Sequence, residues 1–270
     1  MTKKPIYVEI EMHADIETVW RYTQEPTLHE QWDLRFTSIT YNEKDAEDAP
    51  QTFTYTTKVM PGLNVSGWGV SKGTHEKQSG IKTSSLHFGT EQLISPIAEG
   101  KGYWQYIPHE KGVTFLTQYD YDVRFGLLGK AFNLLFKPVM GWATALSFDV
   151  LKRWIEIGER PATQYRRFFS YYFICIAMFV IWFYQGLVPK VWLTHPQEVD
   201  MLMKLSGLSE NIAVQTVWWI GLVEMLFSLV WLISFRKKIL FGLQIVLFPL
   251  LTVSALIANI ETATAPFNVM

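Results

Sequence analysis

Cysteine is almost missing from this chain. Of 270 residues only Cys175 is one, which excludes an internal disulfide framework and a multi-cysteine metal site. A small buried apolar role is the ordinary one for such a residue. An excess of either charge is missing too. The 24 Lys and Arg balance 25 Asp and Glu to a net −1, so charge gives no reason to expect a nucleic-acid partner. There is no Gly-x-Ser-x-Gly elbow, phosphate loop or dinucleotide fingerprint. His13, His29, His75, His87 and His109 are scattered, none with a Glu-x-x-His or His-x-x-x-His companion. No metal and no cofactor is expected, and whether the chain catalyses a reaction stays open.

Acidic residues run short in one half. Beyond residue 160 only Glu198, Asp200, Glu210, Glu224 and Glu261 remain. The expected division is a soluble domain over 1–160, a basic linker over 161–167 and a membrane domain over 168–270.

The amino terminus lacks an apolar core of signal-peptide length. It runs straight into alternation, with Ile6, Val8, Ile10 and Met12 against Tyr7, Glu9, Glu11 and His13. That pattern is a strand, and the domain is placed in the cytosol. Asp15 reads as the N-cap of a helix over about 15–23, followed by a short helix near 27–32. Alternating runs at 52–60, 64–75, 81–88, 91–98, 102–108 and 113–125 then predict strands. Short gaps such as Pro61-Gly62 and Gly89-Thr90 predict antiparallel hairpins. A helical region over 127–160, expected to break at Pro138, places Val139, Trp142, Ala143, Leu146, Val150, Trp154 and Ile157 on one apolar stripe. Thr144 and Ser147 lie away from it. Asp120, Asp122 and Arg124 read as a solvated strand face.

This order, and the words HADIETVWRYTQEPTLHEQWD at 13–33, resemble the START-like or SRPBCC superfamily in its polyketide cyclase and lipid-transport branch. The resemblance covers about 5–160. It implies a helix-grip fold, an α+β domain whose curved antiparallel sheet holds a long C-terminal helix, with an apolar cavity between them. Candidate ligand-binding residues by alternation are Trp32, Phe53, Tyr55, Trp68, Phe88, Tyr103, Tyr119, Tyr121 and Trp142. Core packing is the competing role for each.

Phe168 to Val188 carries no charge over 21 residues. At 1.5 Å per residue this reaches about 31 Å, enough for a hydrocarbon core of roughly 30 Å. Further spans are expected at 211–235 and 239–258, making an all-α transmembrane domain. Arg166-Arg167 and Arg236-Lys237-Lys238 flank the spans on one side, which the positive-inside rule makes cytoplasmic. The loop 189–210 then lies outside, where Pro196 to Ser206-Gly207 reads as a short helix on the membrane surface. A carboxyl within a span is costly when charged. Glu224 is therefore expected to face the bundle interior, sharing a polar site with Gln185 and Gln244 or acting as hydrogen-bonding glue. Lys190 reads as an anchor at the outer boundary.

The segments WFYQGLVPKVWLTHPQEVDMLMKLSGL (182–208), WIGLVEMLFSLVWLI (219–233) and TAPFNVM (264–270) look like the DoxX-like membrane family. That resemblance implies a four-helix membrane domain whose fourth span starts near Pro266, so the fourth helix is either absent or continues past the sequence. The expectation drawn from both halves is a multi-pass cell-membrane protein whose cytosolic domain binds a lipid or other apolar small molecule near the bilayer. The alternatives are a membrane-anchored cyclase, dehydratase or hydrolase on a hydrophobic substrate, and a subunit docking partners in a membrane-protein complex.

Overall fold

The computed structural model describes residues 4–44, 46, 49–233 and 237–258. It divides into two compact units, Met1–Arg166 and Arg167–Met270.

The first unit opens with β1 (Ile6–Met12), α1 (Ile16–Gln24) and α2 (Pro26–Trp32). Asp15 caps α1 by accepting the Thr18 N–H at 2.8 Å, as its residue type predicts. Six strands follow: β2 (Ser38–Tyr41), β3 (Gln51–Met60), β4 (Leu63–Glu76), β5 (Lys82–Gly89), β6 (Ile97–His109) and β7 (Gly112–Val123). They form an antiparallel meander closed by β1, in the order β1-β7-β6-β5-β4-β3-β2. Gly62, at φ +83, makes the predicted turn between β3 and β4. The long helix α3 (Gly126–Ile157) then packs on the sheet. Its buried residues join Met12, Val19, Trp32, Tyr106, Val113 and Phe115 in one core. The architecture is a helix-grip fold.

Three local expectations are corrected. Residues 91–98 are mostly a turn rather than a strand: Arg124 donates to the Gln92 carbonyl at 3.0 Å and Ser95 closes a tight bend, so β6 begins only at Ile97. Pro138 does not interrupt α3. The carbonyl it leaves without a partner, four residues back, belongs to the exposed Leu134, where water can satisfy it. The buried stripe of α3 is also rotated. Ala143, Thr144, Ser147, Phe148, Val150 and Leu151 are inside, while Val139, Trp142 and Ile157 are exposed. The two hydroxyls go in because they are bonded. Thr144 meets the Tyr119 hydroxyl at 2.9 Å, and Ser147 accepts the Leu34 N–H at 2.9 Å.

The second unit holds most of α4 (Pro161–Gln185), a π-helical segment (Gly186–Trp192), α5 (Pro196–Ser206), α6 (Glu210–Ile233) and α7 (Lys237–Ala258). Residues 161–167, expected as a linker, are instead the first turns of α4. Four helices are long and apolar enough to cross a membrane: α3, α4 with its π-helical continuation, α6 and α7. In α3 this is composition only, because Phe148, Val150 and Leu151 are core residues of the sheet domain. The π-helical segment has a local cause. Pro189 has no N–H to give the Gln185 carbonyl, and Lys190 Nζ approaches that carbonyl at 3.4 Å instead. The TAPFNVM match and Arg236 lie outside the described residues.

Candidate functional site

Between the concave face of the sheet and α3 lies a cavity of about 550 Å³, within the size range of ligand sites. Its walls come from alternate residues of the strands: Phe53, Tyr55 and Thr57 on β3, Leu63 and Val65 on β4, and Leu86 and Phe88 on β5. Phe136, Met140 and Ala143 of α3 close it. Space arises because four aromatic residues have glycine as their ladder partner: Phe53 opposite Gly69, Tyr55 opposite Gly67, Phe88 opposite Gly100 and Tyr119 opposite Gly102. A Cβ on Gly69 or Gly67 would run into the ring of Phe53 or Tyr55. Burial pushes the Tyr55 phenol up to about 12, so it stays a neutral donor in the wall.

The mouth is apolar as well. Val59, Ile94, Phe132, Val139 and Trp142 line the cavity and are also 55, 58, 52, 53 and 47% exposed. Exposed Leu93, Leu128 and Leu135 add further apolar surface in the same loop and helix turns. Single exposed apolar side chains are ordinary, but a group of them around a cavity mouth marks an interaction surface.

A charged cluster reaches the cavity from the end of α2. Asp33, whose side chain is wholly buried, accepts Arg35 Nε at 2.9 Å and Nη2 at 2.6 Å. It also meets His29 Nε2 at 3.1 Å. His29 and Arg35 line the cavity. Burial would raise the Asp33 carboxyl, but the Arg35 guanidinium outweighs it and holds the acid well below the usual carboxylate range. For Arg35, burial works against the charge and Asp33 restores it, leaving the guanidinium firmly cationic. The His29 ring stacks on Trp32 and meets Trp104 edge-on, each with centroids 5.0 Å apart. The Arg35 guanidinium lies 5.3 Å from the Tyr119 ring centre.

The membrane unit has its own buried polar contacts. Lys190 Nζ is 3.0 Å from Glu224 and 3.6 Å from Glu198, with all three side chains at most 14% exposed. Gly186 and Gly221 let the π-helical segment and α6 approach so closely that a Cβ on either would strike the other's carbonyl oxygen. Nearby, Trp182 Nε1 donates to Gln244 Oε1 at 2.8 Å. Cys175 is buried with Trp182, Trp231 and Leu240.

The membrane protein YndG of Bacillus subtilis strain 168 is 42% identical over 252 residues, covering 92% of this chain and 84% of YndG. This chain belongs to the YndG family of membrane proteins. Residues 179–270 match the DoxX-like family. Among solved structures, human StAR-related lipid transfer protein 5 is 13% identical, covers 55% of this chain and 75% of its own, and superposes with a TM-score of 0.43. A STAR-related lipid transfer protein from Xanthomonas axonopodis is 16% identical, with coverage of 53% and 83% and a TM-score of 0.39. The helix-grip architecture of the YndG-family chain follows from its own strand order and helix placement.

Of the aromatic residues expected to bind a ligand, Phe53, Tyr55, Phe88, Tyr103, Tyr119 and Trp142 line the cavity. Trp32, Trp68 and Tyr121 do not. Trp32 is fully buried in the core, its Nε1 donating to the Tyr22 carbonyl at 2.8 Å. On β4 the cavity takes odd-numbered residues, which turns Trp68 to the opposite face against His87. Tyr121 shares the face of Tyr119 but is covered by α3, where it packs on Phe136 and bonds Asn133. In the membrane unit Glu224 takes Lys190 as its partner, and Gln244 takes Trp182. Lys190, expected at the boundary as an anchor, is turned inward because two carboxylates meet it there. The His29–Asp33–Arg35 cluster was missed. Its signal was present as a His and an Asp four apart at the end of a helix, the spacing that puts two side chains on one face.

Proposed function

We propose that this YndG-family protein is a multi-pass membrane protein whose helix-grip domain takes an apolar or lipid-like ligand from the bilayer and holds it in the cavity between sheet and α3. One observation carries this: the cavity walls are apolar, and so is the exposed mouth. A water-soluble substrate gains nothing from that rim, whereas an apolar molecule can pass along it without being hydrated. The basic residues Arg166, Arg167, Lys237 and Lys238 at the ends of the spans support a cytoplasmic position for the domain. The domain limits 1–160 and 168–270 serve this reading as its binding and membrane parts.

Photolabelling tests it. The full chain in phosphatidylcholine nanodiscs is labelled with a diazirine-bearing hydrocarbon, and the modified residues are mapped by peptide mass spectrometry. Labels on Phe53, Tyr55, Phe88 or Met140 are expected beside labels on the spans. Labels confined to the spans would overturn the proposal.

A second reading rests on His29. An imidazole held by a buried carboxylate at the wall of an apolar cavity is the arrangement of a general acid or base. Chemical change of a ligand co-purified with the wild type, but not with His29→Gln, would favour an enzyme. An unchanged ligand in both would favour binding alone.

A further inference from the structure

Among the described residues that line the cavity, Arg35 is the only lysine or arginine and His29 the only histidine. Asp33 occupies one edge of the guanidinium, Nε and Nη2. The Nη1 amino group has no carboxylate partner among the described residues. His29 presents Nε2 to the same carboxylate. Because an ionised carboxylate only accepts, Nε2 is the donor, and Nδ1 is the ring's other polar atom.

We infer that Arg35 and His29 form a recognition subsite for one neutral oxygen on an otherwise apolar ligand: a ketone, ester or alcohol oxygen, and not a carboxylate or phosphate. This rests on the ligand-binding reading above and narrows it to a class. The reason is charge balance. The single cation of the cavity wall is already matched by Asp33, in a bidentate pair with no exposed carboxylate. A ligand anion arriving beside it would be the second negative charge against one positive charge in an apolar enclosure, and such a charge is costly to bury. A neutral oxygen needs no counter-charge. It accepts an N–H from the guanidinium edge that Asp33 leaves, a bond strengthened by the charge on its donor. A plain hydrocarbon would leave that donor without a partner once water is expelled, which also disfavours it. His29, within reach of the same carboxylate, can accept from an alcohol through Nδ1.

The labelling experiment becomes a competition. Dodecane, dodecanol, decyl methyl ketone and dodecanoate are compared at equal mole fraction in the nanodisc, at neutral pH, as competitors of cavity labelling by the diazirine-bearing hydrocarbon. The ketone and the alcohol are expected to compete about tenfold better than dodecane and dodecanoate. In the double variant Asp33→Asn/Arg35→Gln, which removes both charges together, that preference should vanish while cavity labelling persists. Equal competition by all four would overturn the subsite and leave ligand binding standing. Dodecanoate as the best competitor would show that Arg35 takes an anion, and would also overturn it. Absence of cavity labelling altogether is the distinct failure of the binding proposal. The wild-type ranking decides the question even where the variant does not fold.

Discussion

Asp33 and Arg35 stand two residues apart in sequence and meet through two parallel hydrogen bonds of 2.9 and 2.6 Å, with the carboxylate wholly buried. The short connection from α2 to β2 is thereby tied to the cavity wall. Because each charge is buried against the other, removing one exposes the fold to the full desolvation cost of its partner. Arg35→Ala should lower the stability of the full chain by about 3–5 kcal/mol, and the double change Asp33→Asn/Arg35→Gln by much less. Denaturant unfolding followed by tryptophan fluorescence measures both; equal losses would show that the two charges are not coupled.

The same pair sets an acid dependence. The Asp33 carboxyl is held below its ordinary range when folded, so folding favours the ionised form. Its contribution is complete above the unfolded value of about 4 and is lost as pH falls through the folded one. The wild type should therefore lose stability on acidification below about pH 4, and Asp33→Asn should show a shallower decline from a lower starting point. Parallel melting-temperature profiles for the two proteins would contradict this.

Gly69 makes room for Phe53. A methyl group there would push the ring off the strand, so Gly69→Ala should cost about 1–3 kcal/mol as an overpacked site and reduce hydrocarbon labelling of the cavity. Gly242 has open space around it, so Gly242→Ala should leave labelling unchanged.

Leu86 lies on the cavity wall. Leu86→Trp should fill the space, reduce labelling of Phe53 and Tyr55 to background, and change stability by no more than about 1–3 kcal/mol. Persistent labelling at those residues would place the ligand elsewhere.

In the membrane unit the Lys190–Glu224 contact should behave as a coupled pair. Glu224→Leu alone leaves a buried ammonium and should lower the melting temperature in detergent, by the equivalent of about 3–5 kcal/mol. Lys190→Met added to it should recover a large part of the loss. A double variant as unstable as the sum of the two single ones would show that the residues act independently.

Much of this was legible in the order of residues. Alternation in β1 and β3, the Asp15 cap, the Pro61-Gly62 turn and the uncharged run after Phe168 each report a local preference, and local preferences are written in a few neighbouring positions. So a strand meander with a long closing helix, followed by apolar membrane helices, could be expected from the sequence by itself. What escaped depends on partners far away in the chain. Thr144 and Ser147 look like solvent-facing residues until Tyr119 and the Leu34 N–H are found opposite them. Trp68 and Tyr121 look like cavity residues until strand parity and the cover of α3 turn them elsewhere. The cavity itself exists because glycines on β4 and β6 face aromatic rings on β3, β5 and β7, a register that no single strand encodes. Burial then decides the chemistry: only the closed fold removes Asp33 from water, and that makes an ordinary-looking His, Asp and Arg near the end of α2 the charged end of an otherwise apolar site.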